Sequence, residues 1–154
     1  MAAAITDPDE AVASVGEHVV KESFTFGSPE EPFVLENRHS LTHIDVAYET
    51  YGTLSPTKDN VVLVCHGITG SSHAAGKYAP ENRCVGCWDG LISPGDVFDT
   101  YKYFVVAPNA LGGCRGSTGP SSIDPATGRP YGLRFPIVTV RDLVRCQERF
   151  LREC

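Results

Sequence analysis

The chain has 154 residues, of which 42% are hydrophobic and 21% charged, as in one packed globular domain. Thirteen Lys and Arg against nineteen Asp and Glu give a net charge of −6, which argues against a nucleic-acid partner because such partners need a basic face. No apolar run reaches the roughly 18 residues of a membrane-spanning helix, so we expect no membrane partner either.

The N-terminus is acidic and rich in alanine, and its first Lys or Arg is Lys21. This pattern is neither a signal peptide nor a transit peptide, so the sequence predicts a cytoplasmic protein. We expect residues 1–19 to be a disordered segment and residues 20–154 to form the folded unit. Six cysteines without a secretion signal are expected to be thiols. Cys84 and Cys87 have metal-like spacing, but without a second pair they indicate two thiols in a turn and no metal.

The first half of the folded unit predicts antiparallel strands joined by turns. Residues 20–26 alternate apolar and polar side chains, residues 33–36 are a short apolar piece, and residues 41–52 alternate over a longer stretch. Residues 60–65 and 102–109 then form two continuous apolar runs, which are typical of strands buried on both faces. Their long separation suits a parallel crossover, so the sequence predicts an α/β architecture.

The last segment predicts a helix over 140–153. Thr139 is a candidate N-cap, and Asp142 three residues later completes a capping-box pattern. An apolar stripe with helical spacing is expected to face the core; it comprises Leu143, Val144, Gln147, Phe150 and Leu151. Between the second buried strand and this helix, residues 111–132 are dense in Gly, Pro and Ser and predict a long functional loop.

The stretch CHGITGSSHAAG, residues 65–76, follows the first buried strand and carries the strongest sign of a site. It is not a phosphate loop, because the glycine spacing is wrong and Tyr78 replaces the required hydroxyl. Ser72 lies in a GSSHA sequence similar to a nucleophile elbow, but it comes too far after the strand. The remaining alternatives are an oxyanion loop, in which Gly67 lets the backbone present an amide to a ligand, and an ordinary turn.

Four stretches together resemble the homoserine O-acetyltransferase family, and the resemblance runs over residues 23–153. They are CHGITGSSHAAG, GCWDGLISPG at 86–95, the segment 98–132 with LGGCRGSTGPSS, and FPIVTVRDLVR at 135–145. The resemblance implies the α/β-hydrolase fold, a homodimer and acetyl transfer from acetyl-CoA to the hydroxyl of L-homoserine in methionine biosynthesis. Acetyl-CoA is a substrate in that reaction, and no bound cofactor is implied.

The family passes the acyl group through a serine, with a histidine as base and an aspartate that orients it. Carried over, the first oxyanion donor is the backbone amide of Ile68, with Gly67 permitting the loop; Ala and Leu are common at these two positions. The serine, aspartate and histidine have no matching positions, because in the family they follow the helix over 140–153. We therefore expect an incomplete α/β-hydrolase fold, the N-terminal part of an acyltransferase, truncated before the nucleophile elbow and inactive by itself.

Three alternatives remain open. A related acyltransferase would transfer a succinyl group to homoserine, or an acetyl group to serine or deacetylcephalosporin C. A hydrolase would use Ser72 as its nucleophile. A non-catalytic interaction module would pair through the edge of the strand at 61–65, which in the family lies beside the nucleophile strand. An unpaired apolar edge promotes aggregation, so we expect the chain alone to be poorly soluble or molten.

Overall fold

The computed structural model describes residues 18–154. The elements in chain order are β1 (Glu22–Phe26), β2 (Phe33–Val34), β3 (Ser40–Leu41), β4 (Ile44–Tyr51), β5 (Val61–Leu63), β6 (Ile92–Ser93), β7 (Phe98–Asp99), β8 (Phe104–Pro108), β9 (Ile123–Asp124), β10 (Arg129–Pro130), a 3-10 helix (Gly132–Arg134) and α1 (Val140–Glu153). The predicted disordered segment 1–19 falls almost entirely outside the described residues and stays a prediction. Its last residue, Val19, is buried and donates its amide to the Lys77 carbonyl.

A four-stranded sheet in the order β1-β4-β8-β5 organises the chain. The pairs β1/β4 and β4/β8 are antiparallel, and β5/β8 is parallel. The prediction of antiparallel strands followed by parallel strands with long loops and a C-terminal helix is therefore confirmed. The alternating segment 41–52 is interrupted, because β3 pairs with β2 and only β4 joins the main sheet.

The prediction that residues 60–65 form a strand buried on both faces is wrong. Val61 is 41% exposed and Leu63 is 36% exposed. The reason is position: β5 is one of the two edge strands of the sheet among residues 18–154, so only β8 lies beside it. By contrast, β8 lies between two strands, and Val105 through Pro108 are buried as predicted.

Helix α1 begins as predicted. The Thr139 hydroxyl accepts the Asp142 amide, and the Asp142 carboxylate accepts the Thr139 amide, which completes the capping box. The predicted apolar stripe is only partly correct, because Val144 is 57% and Leu151 is 41% exposed. The face turned inward is centred on Asp142, Cys146 and Phe150, of which only Phe150 belongs to the predicted stripe.

Two apolar clusters pack on opposite faces of the sheet, because neighbouring residues of β8 alternate between them. One contains Val106 and α1, including Phe150. The other contains Val105 and Ala107 and packs the loop after β5 through Ala74 and Ala75. The sheet thus places α1 on one face and the candidate site loop at the other. None of the helices within 18–154 is both long and apolar enough to cross a membrane.

Candidate functional site

The loop at 65–76 leaves the carboxyl end of β5 and makes a tight turn. The Gly70 amide donates to the Gly67 carbonyl at 2.9 Å, which closes the turn around Ile68 and Thr69. In open α/β sheets the carboxyl ends of the strands are where ligands bind. The turn is therefore placed where the sequence predicted a site.

The His66 imidazole fixes the orientation of the peptide that joins Gly67 to Ile68. The Ala110 amide donates to His66 Nε2 at 3.0 Å, so this nitrogen carries no hydrogen. In the neutral ring the hydrogen is on Nδ1, which donates to the Gly67 carbonyl at 2.7 Å. That oxygen is therefore held by two donors, His66 Nδ1 and the Gly70 amide.

The amide of Ile68 must point the opposite way. In a trans peptide the carbonyl and the following N–H project to opposite sides of the chain. Because the Gly67 carbonyl points into the turn, the Ile68 N–H points out of it. This amide has no hydrogen-bond acceptor among residues 18–154, and the Ile68 residue is fully exposed. A fixed, unpartnered amide is the kind of donor that stabilises a developing oxyanion.

The glycine that the packing of the turn requires is Gly70. A Cβ at Gly70 would lie 2.8 Å from His66 Cβ and 3.2 Å from the Gly67 carbonyl. A Cβ at Gly67 would meet nothing within 4 Å among the described residues. Nothing among the described residues requires glycine at 67, so its expected role in permitting the loop stays a prediction, whereas Gly70 lets the turn close against His66.

A small cavity of about 160 Å³ lies beside the turn. Its lining comes from the loop and from the segment after it, including Gly67, Thr69, Cys87 and Trp88. Trp88 also packs against Phe98 at a ring distance of 6.0 Å, so it serves the core and the cavity together. Ile68 lies between two lining residues, at the rim of this cavity.

Ser72 does not have the geometry of a nucleophile. It is fully buried, and its hydroxyl donates to Glu49 Oε1 at 3.3 Å. A nucleophilic serine must be open to its substrate and paired with a base. The hydroxyl of Ser72 instead belongs to a network around a buried carboxylate.

Glu49, in the middle of β4, is that carboxylate and is fully buried. The Tyr78 hydroxyl donates to Oε1 at 2.6 Å, beside Ser72. The Tyr51 hydroxyl at 2.7 Å and His73 Nδ1 at 3.1 Å donate to Oε2. Burial, together with the neighbouring carboxylate, raises the pKa of both Tyr51 and Tyr78 above the ordinary value of 10.0.

Ser72 and the Ile68 amide lie on the loop that the sequence singled out, but the sequence did not point to the network of Glu49, Tyr51 and Tyr78 beside it. The available signal was an acidic residue between two tyrosines, YETY, inside a strand that must be buried. A buried charge needs several partners, and the strand alone does not supply them. Among the described residues, no group of three or more His, Cys, Asp and Glu side chains is arranged to hold a metal ion.

No family model matches the chain, but it is similar to curated proteins and to solved structures. Homoserine O-acetyltransferase of Symbiobacterium thermophilum is 56% identical over 80% of this chain and 32% of its own length. Homoserine O-succinyltransferase of Magnetococcus marinus is 50% identical over 92% of this chain and 36% of its own length. The chain thus spans about a third of these curated relatives.

Solved structures give the same picture. Homoserine O-acetyltransferase from Bacillus anthracis superposes with a TM-score of 0.80 at 38% identity, over 88% of this chain and 37% of that one. Esterase E22 superposes with a TM-score of 0.76 at 40% identity, over 86% of this chain and 37% of that one. The sheet order, the turn after β5 and these similarities lead to one conclusion. The chain belongs to the homoserine O-acetyltransferase family and carries part of its α/β-hydrolase fold.

Proposed function

We propose that this chain supplies the N-terminal part of an acyltransferase that moves an acetyl group from acetyl-CoA to the hydroxyl of L-homoserine. The observation that carries the proposal is the outward, unpartnered amide of Ile68, whose peptide is fixed by His66 and Gly70. In this role the amide donates to the thioester oxygen as it becomes an oxyanion.

Acyl transfer also needs a nucleophile, a base and groups that bind homoserine. In the proposed enzyme these come from a polypeptide portion matching the other two thirds of the relatives' length. The exposed edge of β5 supports this assignment, because a further strand would satisfy its backbone groups and cover Val61 and Leu63. We propose a cytoplasmic homodimer for the whole assembly, with acetyl-CoA as substrate and no bound cofactor.

A chimeric enzyme tests the proposal. Residues 23–153 replace the matching segment of the Symbiobacterium thermophilum relative, and thiol release from acetyl-CoA is measured with and without L-homoserine. We expect release that depends on L-homoserine. A soluble, folded chimera that releases no thiol would contradict the proposal.

The acyl donor is a separate question, because one similar relative is named for succinyl transfer and a similar structure is an esterase. The same chimera is therefore assayed with succinyl-CoA and with an acetyl ester in the absence of homoserine. We expect acetyl-CoA with homoserine to give the highest kcat/KM. Faster hydrolysis of the ester alone would favour an esterase.

A further inference from the structure

The loop that carries Ile68 is held at both ends, and the second end has no assigned role. At the first end, the Ala110 amide fixes His66. At the second end, Ser72 and His73 both reach the buried Glu49 carboxylate. The exposed tip lies between these two attachments. A loop clamped at two points presents its backbone with less conformational freedom than one attached once.

The hydrogen bonds around Glu49 are matched to an ionised carboxylate. A carboxylate has about four lone-pair sites and accepts only. Four donors surround Glu49, two at each oxygen, and they come from Tyr51, Ser72, His73 and Tyr78. A carboxyl proton would take the place of one of these donated hydrogens, so only the ionised form accepts from all four groups. His73 therefore donates from Nδ1, and its Nε2, which is buried and has no partner among the described residues, carries the lone pair.

The Glu49 network also reaches the loop backbone. The Tyr51 hydroxyl, whose hydrogen goes to Glu49 at 2.7 Å, accepts the amides of Ala74 at 3.2 Å and Ala75 at 2.9 Å. His73 stacks on Tyr78 with ring centroids 4.2 Å apart. Two side chains of β4 thus hold residues 72–78: Glu49 accepts from their side chains, and Tyr51, bonded to Glu49, accepts from their backbone.

We propose that Glu49 is a positioning residue for the site: its carboxylate, with His73 as its orienting partner, clamps residues 72–78 so that the turn at 67–70 keeps the Ile68 amide in its outward orientation. The clamp itself depends only on the contacts of this chain. Its consequence for acyl transfer rests on the proposed function.

Hydrogen–deuterium exchange of the chimeric enzyme, followed over its 23–153 segment, tests the clamp. Glu49→Gln keeps the shape but places two N–H groups among four donors. We expect exchange of the 66–78 segment to rise about tenfold, as for the loss of one or two buried hydrogen bonds, with α1 unchanged. Asp142→Asn is the matched control, because Asp142 is equally buried but caps α1. It should raise exchange in α1 and leave 66–78 unchanged.

Two substitutions at His73 separate positioning from mere packing. Asn places its side-chain nitrogen close to where Nδ1 lies, so His73→Asn should retain slow exchange in 66–78. Gln places its nitrogen nearer to Nε2, so His73→Gln should loosen the segment as Glu49→Gln does. Equal exchange in the Asn and Gln variants, or an unchanged 66–78 segment in Glu49→Gln, overturns the clamp.

The chimera then separates the clamp from the proposed function. If both hold, Glu49→Gln and His73→Gln lower kcat more than they raise KM, and His73→Asn restores kcat. If exchange responds as expected but the parent chimera is inactive, the clamp stands and the proposed function fails. If the parent is active and Glu49→Gln leaves kcat unchanged, the positioning role is wrong.

Discussion

Two fully buried carboxylates, Asp142 and Glu49, anchor opposite faces of the sheet in different ways. Asp142 caps α1, and its nearest partner, Thr139, is three residues away. Glu49 collects donors from positions 2, 23, 24 and 29 residues away. The capping box of Asp142 follows from a local pattern, although its carboxylate also accepts the Glu36 amide from 106 residues away. The network around Glu49 exists only after the loop has folded back on β4. A helix cap is therefore readable from sequence, and a loop clamp is not.

Removing each carboxylate should give the largest contrast. Glu49→Leu leaves four donors without an acceptor, and we expect it to lower the free energy of unfolding by about 3–5 kcal/mol. Asp142→Ala removes one cap and the acceptor of the Glu36 amide, and we expect a loss of about 1–2 kcal/mol. Urea denaturation of both variants measures the difference. A smaller loss for Glu49→Leu than for Asp142→Ala would mean that the network adds little.

The two regions should also lose stability at opposite ends of the pH scale: the Glu49 network at alkaline pH and the Asp142 cap at acid pH. Raised pKa values for Tyr51 and Tyr78 mean that the folded chain keeps protons that the unfolded chain releases above pH 10.0. This stabilisation is complete below that pH and is lost as the pH rises. Glu49→Gln removes the nearby charge, so it should weaken the alkaline loss in a series of unfolding measurements.

Asp142 shows the opposite sign. Burial opposes ionisation of this carboxyl, but the amides of Thr139 and Glu36 outweigh it and lower its pKa below the ordinary 3.8. Its stabilisation is present above that pH and is lost as the pH falls. Unfolding of Asp142→Asn should therefore depend less on acid than unfolding of the parent chain. If acid lowers the stability of Asp142→Asn as much as that of the parent chain, the acid loss comes from other carboxyls.

The same distinction explains how much of the molecule the sequence predicted. The change from antiparallel to parallel strands, the capping box and the position of the site loop after β5 were predicted from local residue spacing. The exposure of Leu63 and Val144 was not, because it depends on what packs against the edge of the sheet and against the outer side of α1. For the same reason Ser72 looked like a candidate nucleophile until its hydroxyl was found against Glu49. The N–H direction at Ile68 required the contacts of His66, which no motif encodes.

Substitution on the exposed edge of β5 should have a smaller effect, and it should change self-association rather than folding stability. Leu63→Lys should reduce self-association in sedimentation velocity, because a charge on an edge strand opposes pairing with another chain. Its change in unfolding free energy should stay within about 0.5 kcal/mol. Leu133→Lys, in the 3-10 helix and fully exposed, is the control and should not alter association. If both variants change self-association equally, the edge of β5 is not its cause.

The smallest effect concerns thiol reactivity in the two regions. Burial raises the pKa of Cys146, on the inner face of α1, to about 12, whereas Cys87 at the cavity is exposed. Since the thiolate is the reactive form, a thiol reagent should label Cys87 promptly and Cys146 only on unfolding. Mass spectrometry of the labelled peptides measures this order, and early labelling of Cys146 would show that α1 is not held as described.

In the proposed enzyme the Ile68 amide, and not the Ile68 side chain, donates to the oxyanion. In the chimeric enzyme, Ile68→Pro removes the N–H and Ile68→Leu keeps it. We expect Ile68→Leu to retain activity and Ile68→Pro to lose about 10²–10³-fold in kcat, the effect of one oxyanion donor. A proline variant that is folded and as active as the leucine variant would contradict the account.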